Sequence, residues 1–197
     1  MTALPQATAL LLIDLQRAVA DPERGRRSNP EAEGAIARLL AAWRASGRPV
    51  VHVQHLSTEA PSPCRAGRPG CHLEPDIVPR AGEIVAQKSG DSAFVETGLA
   101  ALLRDQGIAD LVIAGAGIDH GVEATARMAG NLGFATIVVS DATWTVDGDD
   151  LDGRLRRAQE TNALSLARSD DVLTRLGSRA APSSPVPAEL VAGRPSP

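Results

Sequence analysis

Tyrosine is absent from the 197-residue chain, and two Trp and two Phe bring the aromatic content to only 2%. Stacking on bases or sugar rings is therefore no main theme of recognition here. The core must be built from Ala, Leu, Val and Ile. An excess of positive charge is missing too: 20 Lys and Arg against 24 Asp and Glu leave a net charge of -4. With a pI near 5.6, nucleic acid is not an expected partner. No apolar run approaches the roughly 20 residues of a membrane span, so no membrane partner is expected either. The opening stretch MTALPQATALLLIDLQ lacks the basic region and small-residue cleavage site of a secretory leader and reads as mature protein. The only cysteines, Cys64 and Cys71, are too few for a disulfide framework. They read as free thiols, and a cytoplasmic protein is expected.

What is present is an ordinary globular balance, 43% hydrophobic and 22% charged. Short apolar runs alternate with helical periodicity. Ala9 to Leu15 (ALLLIDL) reads as a strand buried on both faces. Asn29-Pro30 reads as the N-cap and first position of a helix whose stripe is Ile36, Leu39, Leu40 and Trp43, closed by Gly47. Further strands are expected at Pro49 to His55, Glu83 to Lys88, Asp110 to Ala116 and Ala135 to Asp141. Helices are expected near Glu96 to Gln106, Asp119 to Leu132 with Gly133 as C-cap, and Leu151 to Leu166. The Pro-, Gly- and Ser-rich loop Leu56 to Pro79 holds both cysteines and is long enough to wall a site. Such alternation predicts an α/β fold, a three-layer α/β/α sandwich on a mostly parallel, five- to six-stranded Rossmann-like sheet. One domain is expected over residues 1–177, followed by a disordered Pro/Ser/Ala-rich tail over 178–197.

Sites in such sheets lie at the carboxyl ends of the strands. That rule selects Asp14, His55, Lys88, the stretch Gly117 to Gly121, and Asp141. Asp14 and Lys88 both end strands and are natural partners, either as a structural ion pair or as an acid/base centre. Gly115, Gly117 and Gly121 do not make a dinucleotide loop, because the third glycine falls six residues after the first rather than five. The segment instead offers backbone N–H groups suited to an anion or oxyanion. His52 and His55, three apart on a strand, face opposite ways, so no metal site is expected. No Gly-x-Ser-x-Gly elbow supports a serine hydrolase. Trp43 reads as core; Trp144 either lines the site or caps a helix.

Three segments resemble the isochorismatase-like cysteine hydrolases: LLIDLQ with Asp14, QKSGDSAF with Lys88, and LVIAGAGIDHGVEATARMAGNLGF leading into VVSDAT. The match covers roughly residues 8 to 166, and at the last segment the family commonly reads G-x-x-T-D-x-C-V-x-x-T-A-R. The resemblance implies an Asp–Lys–Cys triad in most members, an oxyanion hole of backbone N–H groups, and a cis peptide, here Ala116–Gly117. Asp14 and Lys88 match the catalytic Asp and Lys. The cysteine position is Gly121, the usual threonine is Ile118, and Asn162 lies near a common histidine. A sixth strand at ALSLARSDDVLTRL looks shortened. Without a thiol, acyl-enzyme chemistry at residue 121 is impossible. Cysteine-free members of similar type cleave a vinyl ether by protonating it, a role open to Asp14.

The expected function is therefore acid–base chemistry by Asp14 and Lys88 on a small metabolite. Vinyl-ether hydrolysis leads, with elimination, isomerisation or ring opening beside it. The Ala-, Arg-, Gly- and Pro-rich composition fits a natural-product setting. Gln16, His55, Phe94, Gly117, Ile118 and Trp144 are expected to bind the substrate, with no cofactor. The resemblance further implies a homodimer or homotetramer. The alternatives are an inactive homologue that binds a ligand or partner, and an amide hydrolase whose nucleophile has been replaced.

Overall fold

A computed structural model describes residues 2–21, 25–117, 121–145, 153, 156, 159 and 164–177. The expected tail at 178–197 and the substrate contact expected of Ile118 lie outside these residues. So does Asn162. In chain order the elements are β1 (Ala9–Ile13), α1 (Arg17–Ala20), α2 (Ala32–Ala45), β2 (Val50–His55), β3 (Ile84–Lys88), α3 (Leu99–Asp105), β4 (Asp110–Ala116), α4 (Gly121–Asn131), β5 (Ala135–Trp144), β6 (Leu164–Ala167) and α5 (Ser169–Gly177). Two short 3-10 turns, Pro69–Cys71 and Pro75–Ile77, interrupt the long loop. The strands form one six-stranded sheet in the order β3-β2-β1-β4-β5-β6, and every neighbouring pair is parallel.

β1 lies at the centre, and all five of its residues are buried. Because strand side chains alternate, it feeds two apolar layers. Ala9, Leu11 and Ile13 pack with Leu99 and Leu103 of α3 and with Val122, Ala126 and Ala129 of α4. Leu10 and Leu12 face the other way, onto Ile36, Leu39, Leu40 and Trp43 of α2 and Val172 of α5. Burying a Leu or Ile side chain contributes roughly 1.5–3 kcal/mol, so these two layers drive the fold. Trp43 is fully buried and satisfies its indole N–H on the Thr8 carbonyl at 3.0 Å. β1 and β4 approach closely only because Gly115 has no side chain: a Cβ there would lie 2.2 Å from the Ile13 carbonyl oxygen.

Several boundaries differ from expectation. β1 stops at Ile13, because Asp14 turns into left-handed backbone with φ 54°. α2 begins at Ala32 with Glu31 as N-cap, not Asn29. The Asn29 amide instead donates to the carbonyls of Asp141 and Thr143, at 3.0 and 3.2 Å. α3 begins at Leu99 rather than near Glu96, since Glu96 and Gly98 take positive φ values of 58° and 68°. β5 runs three residues past Asp141, re-registering against β4 between Ile113 and Gly115. Most of the helix expected near Leu151 to Leu166 lies outside the described residues; its last residues, from Leu164, belong instead to the short sixth strand Leu164–Ala167, pairing with Thr136 to Val139. Both cysteines of the long loop are buried, and neither is in a disulfide.

Candidate active site

The strand order reverses direction between β1 and β4, and Asp14 leaves β1 at that point. Its N–H is held by the Val53 carbonyl at 2.9 Å and its carbonyl by the Gln16 N–H at 2.8 Å. A left-handed residue other than glycine costs roughly 1–2 kcal/mol, and Asp tolerates it better than most. Here that turn sends the carboxylate across the end of β2 toward Lys88. Lys88 ends β3, opposite His55 in the parallel register. Its Nζ donates to Asp14 Oδ2 at 2.8 Å and to the Gly90 carbonyl at 3.2 Å. The side chains are only 2% and 13% exposed, Lys88 and Asp14 respectively. This pair is desolvated, unlike a surface salt bridge.

Burial is the largest influence on Asp14 and pushes its carboxyl above the ordinary value of 3.8. The Lys88 ammonium opposes that rise through its charge and its hydrogen bond, while nearby Asp91 adds to it. Oδ1 is buried with no hydrogen-bond partner among the described residues. His55 is close enough to feel both charges: burial and Lys88 push its ring below 6.5, and Asp14 and Asp91 push back. Its Nδ1 is likewise buried without a partner among the described residues. Two free polar atoms thus flank one ion pair.

Gly121 opens α4 beside this pair, and its missing side chain faces Asp14. Gly117, with φ 75°, donates its N–H to the Trp144 carbonyl at 2.9 Å and accepts from the Val122 N–H at 3.0 Å. The described residues contain no cis peptide bond, so the expected cis bond at Ala116–Gly117 is corrected to trans. A non-proline cis bond costs about 3 kcal/mol; Gly117 takes left-handed backbone here instead.

Other expected residues have different roles. Gln16 is fully buried, and its amide is committed to backbone: Nε2 donates to the His55 and Cys71 carbonyls at 2.8 and 2.9 Å, and Oε1 accepts the His55 N–H at 2.8 Å. It ties the Cys71 loop to the strand ends rather than offering a free group to a ligand. The Trp144 ring packs in the α2 layer, on the far side of the sheet from α4, under the Arg27 guanidinium at 5.1 Å. That placement neither brings the ring to the Asp14–Lys88 pair nor makes it a helix cap. Phe94 packs on the α4 side and stacks on Phe134 with ring centres 5.6 Å apart. Sequence reasoning passed over Thr125, whose hydroxyl accepts the Ala93 N–H at 3.0 Å and pins the Phe94 segment to α4. His52 faces away from His55 and bonds Glu83 at 2.7 Å. Among the described residues no three His, Cys, Asp or Glu side chains are grouped to hold a metal.

A strand-end carboxylate against a strand-end lysine, beside a helix that opens on glycine, sits within residues 8–169, which match the Isochorismatase domain. The chain belongs to the isochorismatase family. It is similar to an isochorismatase-family crystal structure from Chromobacterium violaceum, with TM-score 0.83 and 42% identity over 91% of this chain and 98% of that one. YrdC, an isochorismatase family protein of Bacillus subtilis, is 33% identical over 168 residues, 85% of this chain and 90% of that protein. Streptothricin hydrolase of Streptomyces noursei is 34% identical over 171 residues, 83% of this chain and 60% of that protein.

Proposed function

We propose that this isochorismatase-family protein is a hydrolase of a small metabolite that works without a covalent cysteine intermediate, Gly121 standing where the family nucleophile stands. Asp14 is the general acid and base, and Lys88 is its electrostatic partner. The observation that carries this reading is the state of Asp14: one oxygen anchored on Lys88, the other buried and unbonded among the described residues, and the carboxyl held above its ordinary pKa. Burial favours the protonated form of Asp14, and Lys88 steadies the carboxylate once that proton has gone.

The reaction that best uses such a group is vinyl-ether hydrolysis. Protonated Asp14 delivers its proton to the terminal enol carbon, leaving an oxocarbenium ion on the ether-bearing carbon. Water adds to that carbon and returns a proton to Asp14. The resulting hemiketal collapses to a ketone and an alcohol, so the acid is regenerated and no bond to the protein forms. His55 and Phe94 flank the substrate. A homo-oligomer in a natural-product pathway is the setting we favour, on the composition and the family resemblance.

The test is incubation with isochorismate or its amino analogue and mass spectrometry for pyruvate. Pyruvate is expected from the native chain, with Asp14→Asn reducing its release at least ~100-fold while the circular dichroism spectrum is unchanged. Equal release by Asp14→Asn would remove Asp14 from the chemistry. No pyruvate from either protein would remove vinyl-ether hydrolysis.

A further inference from the structure

Asp91 has no task in the acid chemistry proposed above. It follows Gly90, whose carbonyl holds Lys88 Nζ, and its side chain is exposed. Among the described residues its carboxylate makes no hydrogen bond or ion pair. Its charge nevertheless reaches the site, bearing on Asp14 and on the His55 ring alike. His55 stands opposite Lys88 in the parallel register, its N–H and carbonyl both bonded to the Gln16 amide. The Gly90 carbonyl accepts from the ring. Because Nδ1 has no partner among the described residues, that proton sits on Nε2. Burial and Lys88 keep the ring below 6.5, so it is neutral at pH 7 and Nδ1 is a bare lone pair.

Lys88 is spent inward: it is 2% exposed and directs Nζ to Asp14 Oδ2 and the Gly90 carbonyl. What the described residues leave open beside the acid is an acceptor nitrogen and an unpaired negative charge. A buried acceptor left without a donor costs free energy, and an anion brought up to Asp91 adds repulsion. A ligand with N–H donors and a positive charge meets both demands. We infer that Asp91 and His55 Nδ1 receive a protonated amine on the substrate, so that the site takes cationic small molecules. The inference names the substrate class of the proposed acid site and rests on that reading. His55 accepts one ammonium N–H, and Asp91 offsets the charge from the solvent side. Both select the substrate; the proton transfers stay with Asp14.

The test uses small vinyl ethers that differ only in charge: 2-aminoethyl vinyl ether, ethyl vinyl ether and vinyloxyacetate. With water, each gives acetaldehyde and an alcohol, and acetaldehyde is the readout on the full chain. The cationic ether should exceed the neutral one in kcat/KM by at least ~5-fold, and the anionic one by more. Asp91→Asn should abolish that preference through KM and leave the neutral ether unchanged. Asp105→Asn makes the same charge change at an exposed position where α3 ends, and should alter none of the three. Binding is read without turnover by titrating the corresponding alcohols, ethanolammonium, ethanol and glycolate, and following the His55 ring by NMR. Ethanolammonium should shift the ring signals and bind at least ~5-fold more weakly to Asp91→Asn; glycolate should do neither. If ethanolammonium binds in this way while no ether turns over, the acid chemistry fails and the amine receptor stands. Absence of ethanolammonium binding, equal binding by Asp91→Asn, or tighter binding of glycolate would each overturn the inference.

Discussion

Asp14 is pulled two ways, and the balance sets its pH behaviour. Burial raises its pKa and Lys88 resists. A folded-state pKa above the unfolded value means the native chain binds that proton more tightly. Its contribution to stability therefore grows as pH falls through the folded pKa, and is fully present below the unfolded value of 3.8. Melting curves of the native chain and Asp14→Asn should accordingly converge or cross in favour of the native chain as pH is lowered. If the protonated form is the working acid, kcat/KM should fall as pH rises through that same pKa. Lys88→Met should move this limb to higher pH while lowering the maximum, which a pH–rate profile on both proteins would read. The two residues could be picked from the sequence because each charge ends an expected strand. Gln16 and Trp144 could not be assigned that way. The Gln16 amide is saturated by backbone from Cys71 and His55, and the Trp144 ring faces the α2 layer. Both facts depend on chain far away in sequence.

Between elements, the firmest polar clamp is Glu83, just before β3. It accepts Arg44 Nε and Nη2 at 2.7 and 2.9 Å, His52 Nε2 at 2.7 Å and the Arg80 N–H at 2.9 Å, so one carboxylate joins α2, β2 and the edge strand. Burial alone would raise its pKa, but Arg44, the Arg80 amide and His52 prevail and bring it from 4.5 down to about 2. This contribution is complete above pH 4.5 and is lost as pH falls toward 2. Glu83→Gln should cost about 1–3 kcal/mol at pH 7, a deficit that thermal melts should show shrinking at pH 3. Gly115→Ala should cost more, about 3 kcal/mol or above, because its Cβ collides with β1 backbone rather than a movable side chain. Urea denaturation would measure it. The strands of the central sheet were legible because runs such as ALLLI and DLVIAGA are apolar on both faces. β6 was legible only through the family resemblance, which allowed a short sixth strand at ALSLARSDDVLTRL: its four residues include exposed Ser165, and nothing in LSLA itself separates it from a helix end. Asn29 misled for a related reason, since its amide finds β5 carbonyls before any helix N–H.

Across the whole molecule, the two sides of the sheet are closed by different means. Asp141, selected by its strand-end position, has a structural task. Its carboxylate accepts the Ser169 N–H and hydroxyl at 2.7 and 2.8 Å and seats the first turn of α5. α5 then receives the Leu4 N–H on the Arg175 carbonyl at 3.1 Å, joining the two ends of the described fold. Asp141→Ala should therefore cost about 2–3 kcal/mol and leave the Asp14 titration unmoved, which urea melts and carboxyl NMR would check together. The parallel α/β architecture was legible from the alternation of runs, whereas these closures depend on side chains that meet only after the sheet exists.

The strand order has one more consequence, for how the chain acquires its buried charges. Asp14 and Lys88 both belong to the first 88 residues, on the contiguous β1–β2–β3 half, while β4 and α4, which cover them, follow in sequence. A chain assembling from its N-terminal half can join the two charges while water still reaches them, and only afterwards close the roof. The costly act, drying an ion, then falls on a neutral pair rather than on a lone carboxylate, and at no stage need the growing structure shelter an unmatched charge.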